Sequence, residues 1–100
     1  MNANYQKGVR WERERKLHYE SLGRTCNRAS GSHGLFDLVV IDDQREYVDL
    51  IQAKVVSDLA TAQRLLRNFK ANPPLQLMKN IHQVLEVKIS GSKEVHSATV

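Results

Sequence analysis

Residues 35–56 restrict this 100-residue chain more than any other stretch. Residues 35–41, Leu-Phe-Asp-Leu-Val-Val-Ile, are apolar but for Asp37, as a strand buried on both faces requires. Asp42-Asp43-Gln44-Arg45 follows, opening on two residues that favour turns. Residues 46–56 then predict a partner strand. Its alternation sets Val48, Leu50, Gln52 and Lys54 on one side and Tyr47, Asp49, Ile51 and Ala53 on the other. The two runs form a hairpin that brings Asp37, at the mouth of the first strand, toward Gln52 and Lys54 in the second.

The other elements are built around that hairpin. Residues 5–22 predict a helix: at about 100° per residue, Trp11, His18, Tyr19, Leu22 and the stem of Arg15 share one arc. Glu12 lies at the edge of that arc, where a carboxylate needs a cation or a basic side chain as partner. Gly23 is the expected C-cap. Residues 24–29 alternate weakly, as a short strand. Ser57 is an expected N-cap with Asp58 in the first turn, and Leu59, Ala62, Leu65, Leu66 and Phe69 follow at helical spacing. Asn72-Pro73-Pro74 stops this second helix. Residues 75–81 suit either closure of the core or a partner subunit. Leu85, Val87 and Ile89 alternate with Glu86 and Lys88 as a half-buried strand, and residues 94–100 return antiparallel to it. The expected order is αβββαββ, an α/β chain with one domain over residues 1–100.

The net charge of +4 is unevenly spread. Residues 1–30 carry seven basic and three acidic groups, residues 31–60 two and six, and residues 61–100 six and two. An acidic centre between basic ends suits either ordinary surface charge or a metal-binding centre flanked by phosphate-holding surfaces. No apolar run approaches the length of a membrane span, and the first seven residues lack the apolar stretch of a signal peptide. The single cysteine, Cys26, admits no intrachain disulfide and fits a reducing cytoplasm.

An acidic residue followed at a distance by Gln-x-Lys suggests metal-dependent phosphodiester chemistry. That reaction needs a hard divalent cation held by oxygen ligands. Asp37 offers a carboxylate, Gln52 a neutral amide oxygen, and Ala53 a backbone carbonyl if the strand frays there. Lys54 is placed to orient a water or to meet charge on phosphorus oxygens, and Glu12 can complete the site directly or through a water. The competing expectation is a structural Asp37–Lys54 ion pair across the hairpin.

Lys7-Gly8, Glu12-Arg13-Glu14, Gly23, Arg28-x-x-Gly31-Ser32, Asp37-Leu38-Val39 and Gln52-Ala53-Lys54 together resemble the archaeal-type (Hjc-like) Holliday junction resolvases of the PD-(D/E)xK nuclease superfamily. The resemblance spans residues 7–56 and keeps the order of the motifs. It implies a restriction-endonuclease-like core, a mixed β-sheet flanked by helices. It further implies a homodimer that binds four-way DNA junctions and cuts two opposed strands with Mg²⁺, or Mn²⁺ in its place. By that match Glu12 is the helix acid, Asp37 and Gln52 stand at the two strand acids, and Lys54 is the catalytic lysine. Ser32 falls on a loop serine near the scissile phosphate. Lys7, Arg10, Arg13, Lys16, Arg28, Ser30, Ser32 and His33 are the expected DNA contacts. Gln52 departs from the usual Glu and removes one charge from the site, and the usual Pro before Asp is absent. Another superfamily endonuclease, of repair or restriction type, and a non-catalytic DNA-binding module are the alternatives. The expected setting is the cytoplasm of an archaeal, bacterial or phage-infected cell, with no membrane association.

Overall fold

In a computed structural model, which describes residues 3–29 and 35–100, the elements follow the expected order. They are α1 (Ala3–Ser21), β1 (Thr25–Arg28), β2 (Leu38–Asp42), β3 (Tyr47–Val56), α2 (Leu59–Ala71), β4 (Ile81–Ile89) and β5 (Val95–Thr99). One five-stranded sheet runs β1-β2-β3-β4-β5. Its pairs are antiparallel except β3–β4, which is parallel. A parallel pair needs a crossover, and α2 supplies it.

Gly23 ends α1 as expected. Its φ of 81° is in the left-handed region, where a side chain is strained. The Gly23 N–H donates to the Glu20 carbonyl at 3.0 Å and the Arg24 N–H to the Tyr19 carbonyl at 3.2 Å, the paired bonds of a Schellman cap. Asp58 rather than Ser57 caps α2. Its side chain accepts from the Thr61 N–H at 2.7 Å, and Ser57 donates to Asp58 in turn. The Thr61 amide holds the Asp58 carboxyl below its ordinary pKa.

The two helices cover opposite faces of the sheet. Tyr19 of α1 packs in a core with Cys26, Leu38, Val40, Ile51 and Val84. Ala62 and Phe69 of α2 pack with Leu85, Val87 and Ala98. The neighbours Val84 and Leu85 thus enter different cores, as period-2 alternation requires. Among the described residues, no helix is long and apolar enough to cross a membrane.

Several boundaries and faces differ from expectation. β2 begins at Leu38, so Leu35 to Asp37 lead into the strand without belonging to it. Asp42 closes β2 and is buried, bonded to the Arg45 N–H and paired with Arg24. His18 and Leu22 are exposed, whereas Tyr19 between them is buried. Leu59 is exposed at the start of α2. β4 starts at Ile81 instead of Leu85. Its buried Gln83 explains the extension: Nε2 donates to the Leu75 carbonyl at 3.0 Å, and Oε1 accepts from the Leu75 N–H at 2.8 Å. A polar residue inside a strand thereby ties down the segment leading to it.

Candidate active site

Asp37 sits where the β2–β3 ladder stops. The last paired residues there are Leu38 and Ile51. One step beyond, the Asp37 N–H donates to the Ile51 carbonyl at 2.8 Å, and the Asp37 carbonyl accepts from the Ala29 N–H at 2.9 Å. The side chain then takes over the role of the missing strand: Oδ2 accepts from the Ala53 N–H at 2.9 Å. Two backbone bonds and one side-chain bond therefore fix Asp37, which holds its carboxylate beside Glu12.

The same geometry aims the Ala53 carbonyl. In a strand the N–H and C=O of one residue point to the same side. Ala53 directs its N–H at Asp37, so its carbonyl also faces the ground beyond the end of β2. No fraying of β3 is needed, since β3 stays paired to β4 through Val56. The strand that stops short is β2.

Glu12 comes to Asp37 from α1. Burial pushes its carboxyl above the ordinary range, and the nearby Asp37 carboxylate adds to the rise. Arg28 opposes both, its Nη2 donating to Glu12 Oε2 at 2.9 Å. The partner that Glu12 required is thus the last residue of β1. Two carboxylates and one guanidinium meet at the open end of β2.

Gln52 and Lys54 occupy β3 on either side of Ala53. They alternate with Ile51 and Ala53, and so project toward the α2 face while Glu12 approaches from the α1 face. Among the described residues, neither side chain joins the hydrogen bonds around Asp37, and Lys54 has no carboxylate partner. The Asp37–Lys54 ion pair is not formed, and Lys54 is exposed. Ser30, Ser32 and His33 lie outside the described residues. Of the expected DNA contacts on α1, Lys7 donates to Ser90 Oγ at 3.2 Å, Lys16 pairs with Glu20, and Arg10 and Arg13 are exposed. Lys7 and Arg10 line a cleft of ≈ 210 Å³ with Trp11, Glu14, Lys88 and Ser90.

The residue that sequence reasoning missed is Glu86. Alternation assigned it to the exposed side of a half-buried strand, yet it is 3% exposed. Arg15 grips it through two bonds, Nε to Oε1 at 2.9 Å and Nη2 to Oε2 at 3.0 Å, and the Tyr19 hydroxyl donates to Oε2 at 2.6 Å. Burial raises the Tyr19 hydroxyl's pKa, and the Glu86 carboxylate raises it further. Burial works against the Arg15 charge, but the bonds and charge of Glu86 outweigh it. The sequence carried one signal for this: Trp11, Arg15 and Tyr19 recur every four residues, an arginine inside an aromatic stripe that calls for a buried anion. Arg15 is one turn from Glu12, so Glu86 also sets where α1 presents its acid. Asp49, on the side of β3 away from Gln52, pairs with His82 at 2.9 Å on the same face of the sheet.

The donors at the end of β2 fit a hard divalent cation. Magnesium keeps several waters and takes one or two carboxylates. Glu12 and Asp37 supply two, and the Ala53 carbonyl a neutral oxygen. Among the described residues no group of three or more His, Cys, Asp or Glu side chains gathers to hold a metal ion. The repulsion between the carboxylates, already met in part by Arg28, is what a bound cation would relieve.

The element order, the five-stranded mixed sheet and the helix on each face are those expected of a restriction-endonuclease-like core. The fold is shown by likeness to a solved structure, Archaeoglobus fulgidus Hjc, a Holliday junction resolvase from an archaeal hyperthermophile. That likeness covers 92% of this chain and 71% of the other, at TM-score 0.60 and 18% identity. No family model and no curated protein matches this chain.

Proposed function

We propose that this chain is a Mg²⁺-dependent endonuclease that resolves four-way DNA junctions by paired, symmetric cuts as a homodimer. The observation that carries this reading is the Glu12–Asp37 pair at the end of β2, with Asp37 aimed by the Ala53 N–H. It occurs in a fold shared with a structure described as a Holliday junction resolvase. Glu12, Asp37 and the Ala53 carbonyl would hold the metal ion, with Gln52, on the other side of β3, reaching it through a water; the ion when bound would neutralise phosphate charge and lower the pKa of a water. Asp37 keeps its position through the sheet bonds, so little reorganisation is needed when substrate arrives. Lys54, exposed and unpaired with any described carboxylate, orients the attacking water or meets charge on the phosphorus oxygens. Lys7, Arg10, Arg13, Lys16 and Arg28, with Ser30, Ser32 and His33, hold DNA phosphates. Such contacts read the shape of the junction more than its sequence.

Two copies suit a substrate with two equivalent strands, since a two-fold dimer places one site on each. Leu77 and Met78, 64% and 47% exposed, stand in the segment that suits a partner subunit. The setting that follows is a cytoplasm where branched DNA forms.

Cleavage of a four-way junction against a linear duplex of the same sequence, with and without chelator, tests the proposal. Equal cutting of both substrates points to a repair or restriction nuclease. Absence of any chelator-sensitive cutting points to a DNA-binding module, a reading favoured by one observation, the neutral Gln52 where the site has two carboxylates. Lys54→Ala is expected to lose cleavage while keeping junction affinity by gel shift, because the Lys54 side chain is exposed and bonds to no described residue. Junction binding is expected to fall steeply with salt. A protein holding six or more phosphates loses on the order of a thousandfold in affinity between about 50 and about 200 mM. A flat salt response contradicts the basic surface.

A further inference from the structure

We infer that Arg28 is a shared counter-ion that makes metal loading depend on DNA: its bond to Glu12 keeps that carboxylate from a divalent cation, and a DNA phosphate that draws Arg28 away releases it. This rests on the proposed nuclease reading and adds a regulation of the same site.

Among the described residues two arginine–carboxylate pairs are anchored on α1, and they differ in the way this role requires. Arg15 meets Glu86 with two bonds, and the side chains are 13% and 4% exposed. That pair is closed. Arg28 meets Glu12 through Nη2 alone, and its side chain is 35% exposed against 17% for Glu12. A guanidinium offers five N–H donors in a planar fork, and among the described residues only Nη2 of Arg28 is engaged, by Glu12. Its backbone is held meanwhile, with Arg28 paired to Leu38 and the next residue's N–H bonded to Asp37. The side chain can therefore change partners without disturbing the strand that positions the acid.

Glu12 needs one cation and has little room for two. Its side chain is 17% exposed, and Arg28 Nη2 donates to its Oε2 at 2.9 Å. A divalent ion held by Glu12 and Asp37 would neutralise the same carboxylate more strongly, and would repel the guanidinium bonded to Oε2. The two cations exchange. Phosphate is the natural acceptor for the displaced arginine, because its oxygens match the fork geometry. Coupling of this kind is reciprocal: DNA raises metal affinity by the factor by which metal raises affinity for the DNA state that holds Arg28.

The test is Mn²⁺ binding, followed by the electron paramagnetic resonance signal of the free ion. Without DNA, Arg28→Ala is expected to bind Mn²⁺ several-fold more tightly than the wild type, with Arg28→Lys between them. The gain is expected to vanish in Glu12→Ala/Arg28→Ala. Adding a four-way junction, with Mn²⁺ held by the junction alone subtracted, should tighten binding by the wild type more than by Arg28→Ala. Thermal unfolding checks that each variant is folded, and Arg28→Lys keeps the comparison available if Arg28→Ala is not. Equal or weaker Mn²⁺ binding by the folded arginine variants overturns the inference, and so does an equal gain from DNA. Its failure is separable from that of the nuclease reading: chelator-sensitive junction cutting by a wild type whose metal affinity ignores Arg28 sinks only the exchange. Arginine-dependent Mn²⁺ binding in a chain that cuts no DNA supports the exchange and sinks only the reaction.

Discussion

Asp37→Ala is expected to lower junction cleavage by on the order of a thousandfold, the scale on which a single group aimed at a reacting centre acts. Two effects combine in it. The variant removes one of two carboxylates at the end of β2, and it strips the Ala53 N–H of its acceptor. Asp37→Asn separates them. The amide oxygen can still accept from Ala53, so folding stability is expected to match the wild type, while cleavage falls as far as in the alanine variant. Asp37→Ala is also expected to lose about 1 kcal/mol of stability, the usual cost of an unmade hydrogen bond at a partly buried site. Chemical denaturation and single-turnover cleavage, run on the same preparations, read the two effects apart. Cleavage retained in Asp37→Asn contradicts the assignment of the carboxylate. A gel shift should show junction affinity kept in both variants.

Glu86→Ala is expected to destabilise the chain by about 3 kcal/mol or more, the range for removing one member of a buried ion pair. It leaves the Arg15 charge without its two bonds and the Tyr19 hydroxyl without its acceptor. A domain of 100 residues has little reserve against such a loss. The double variant Glu86→Leu/Arg15→Met is expected to recover much of the stability, because well-packed apolar groups often replace a buried pair without cost. A denaturation midpoint for Glu86→Ala within a few tenths of a molar of the wild type's contradicts this. The loss also reaches the site: with Arg15 released, α1 is free to shift over the sheet, and Glu12 shifts with it.

The elements of the chain were legible because apolar periodicity and turn residues report local geometry. Residues 35–56 specify the hairpin, and Gly23 and the two prolines stop the helices. Glu86 was not legible from its strand. Alternation names two faces without saying that both are covered, and with α1 on one face and α2 on the other the supposed outer face is core. The N-cap slipped by one residue because Ser57 and Asp58 are both capping types, and only the backbone angles choose Asp58.

At the candidate site, Asp37 was legible from its place at the mouth of an apolar run. The Glu12 partner was not, since any of 15 basic residues could have met it; the β1–β2 register selects Arg28. The Ala53 carbonyl was named for the wrong reason. What opens the ground beside it is the early end of β2, a matter of strand length that the continuous apolar run concealed. Gln52 and Lys54 share a side as expected, but the position of Glu12 relative to that side depends on which helix covers which face.

A four-way junction labelled on each strand in turn, incubated with the protein in Mg²⁺, tests the central claim most directly. Two cuts are expected, on opposed strands at positions related by the junction's two-fold symmetry, and both absent with chelator and in Asp37→Asn. Cuts scattered over all four strands, the same cuts in a linear duplex, or no cut at all contradict it.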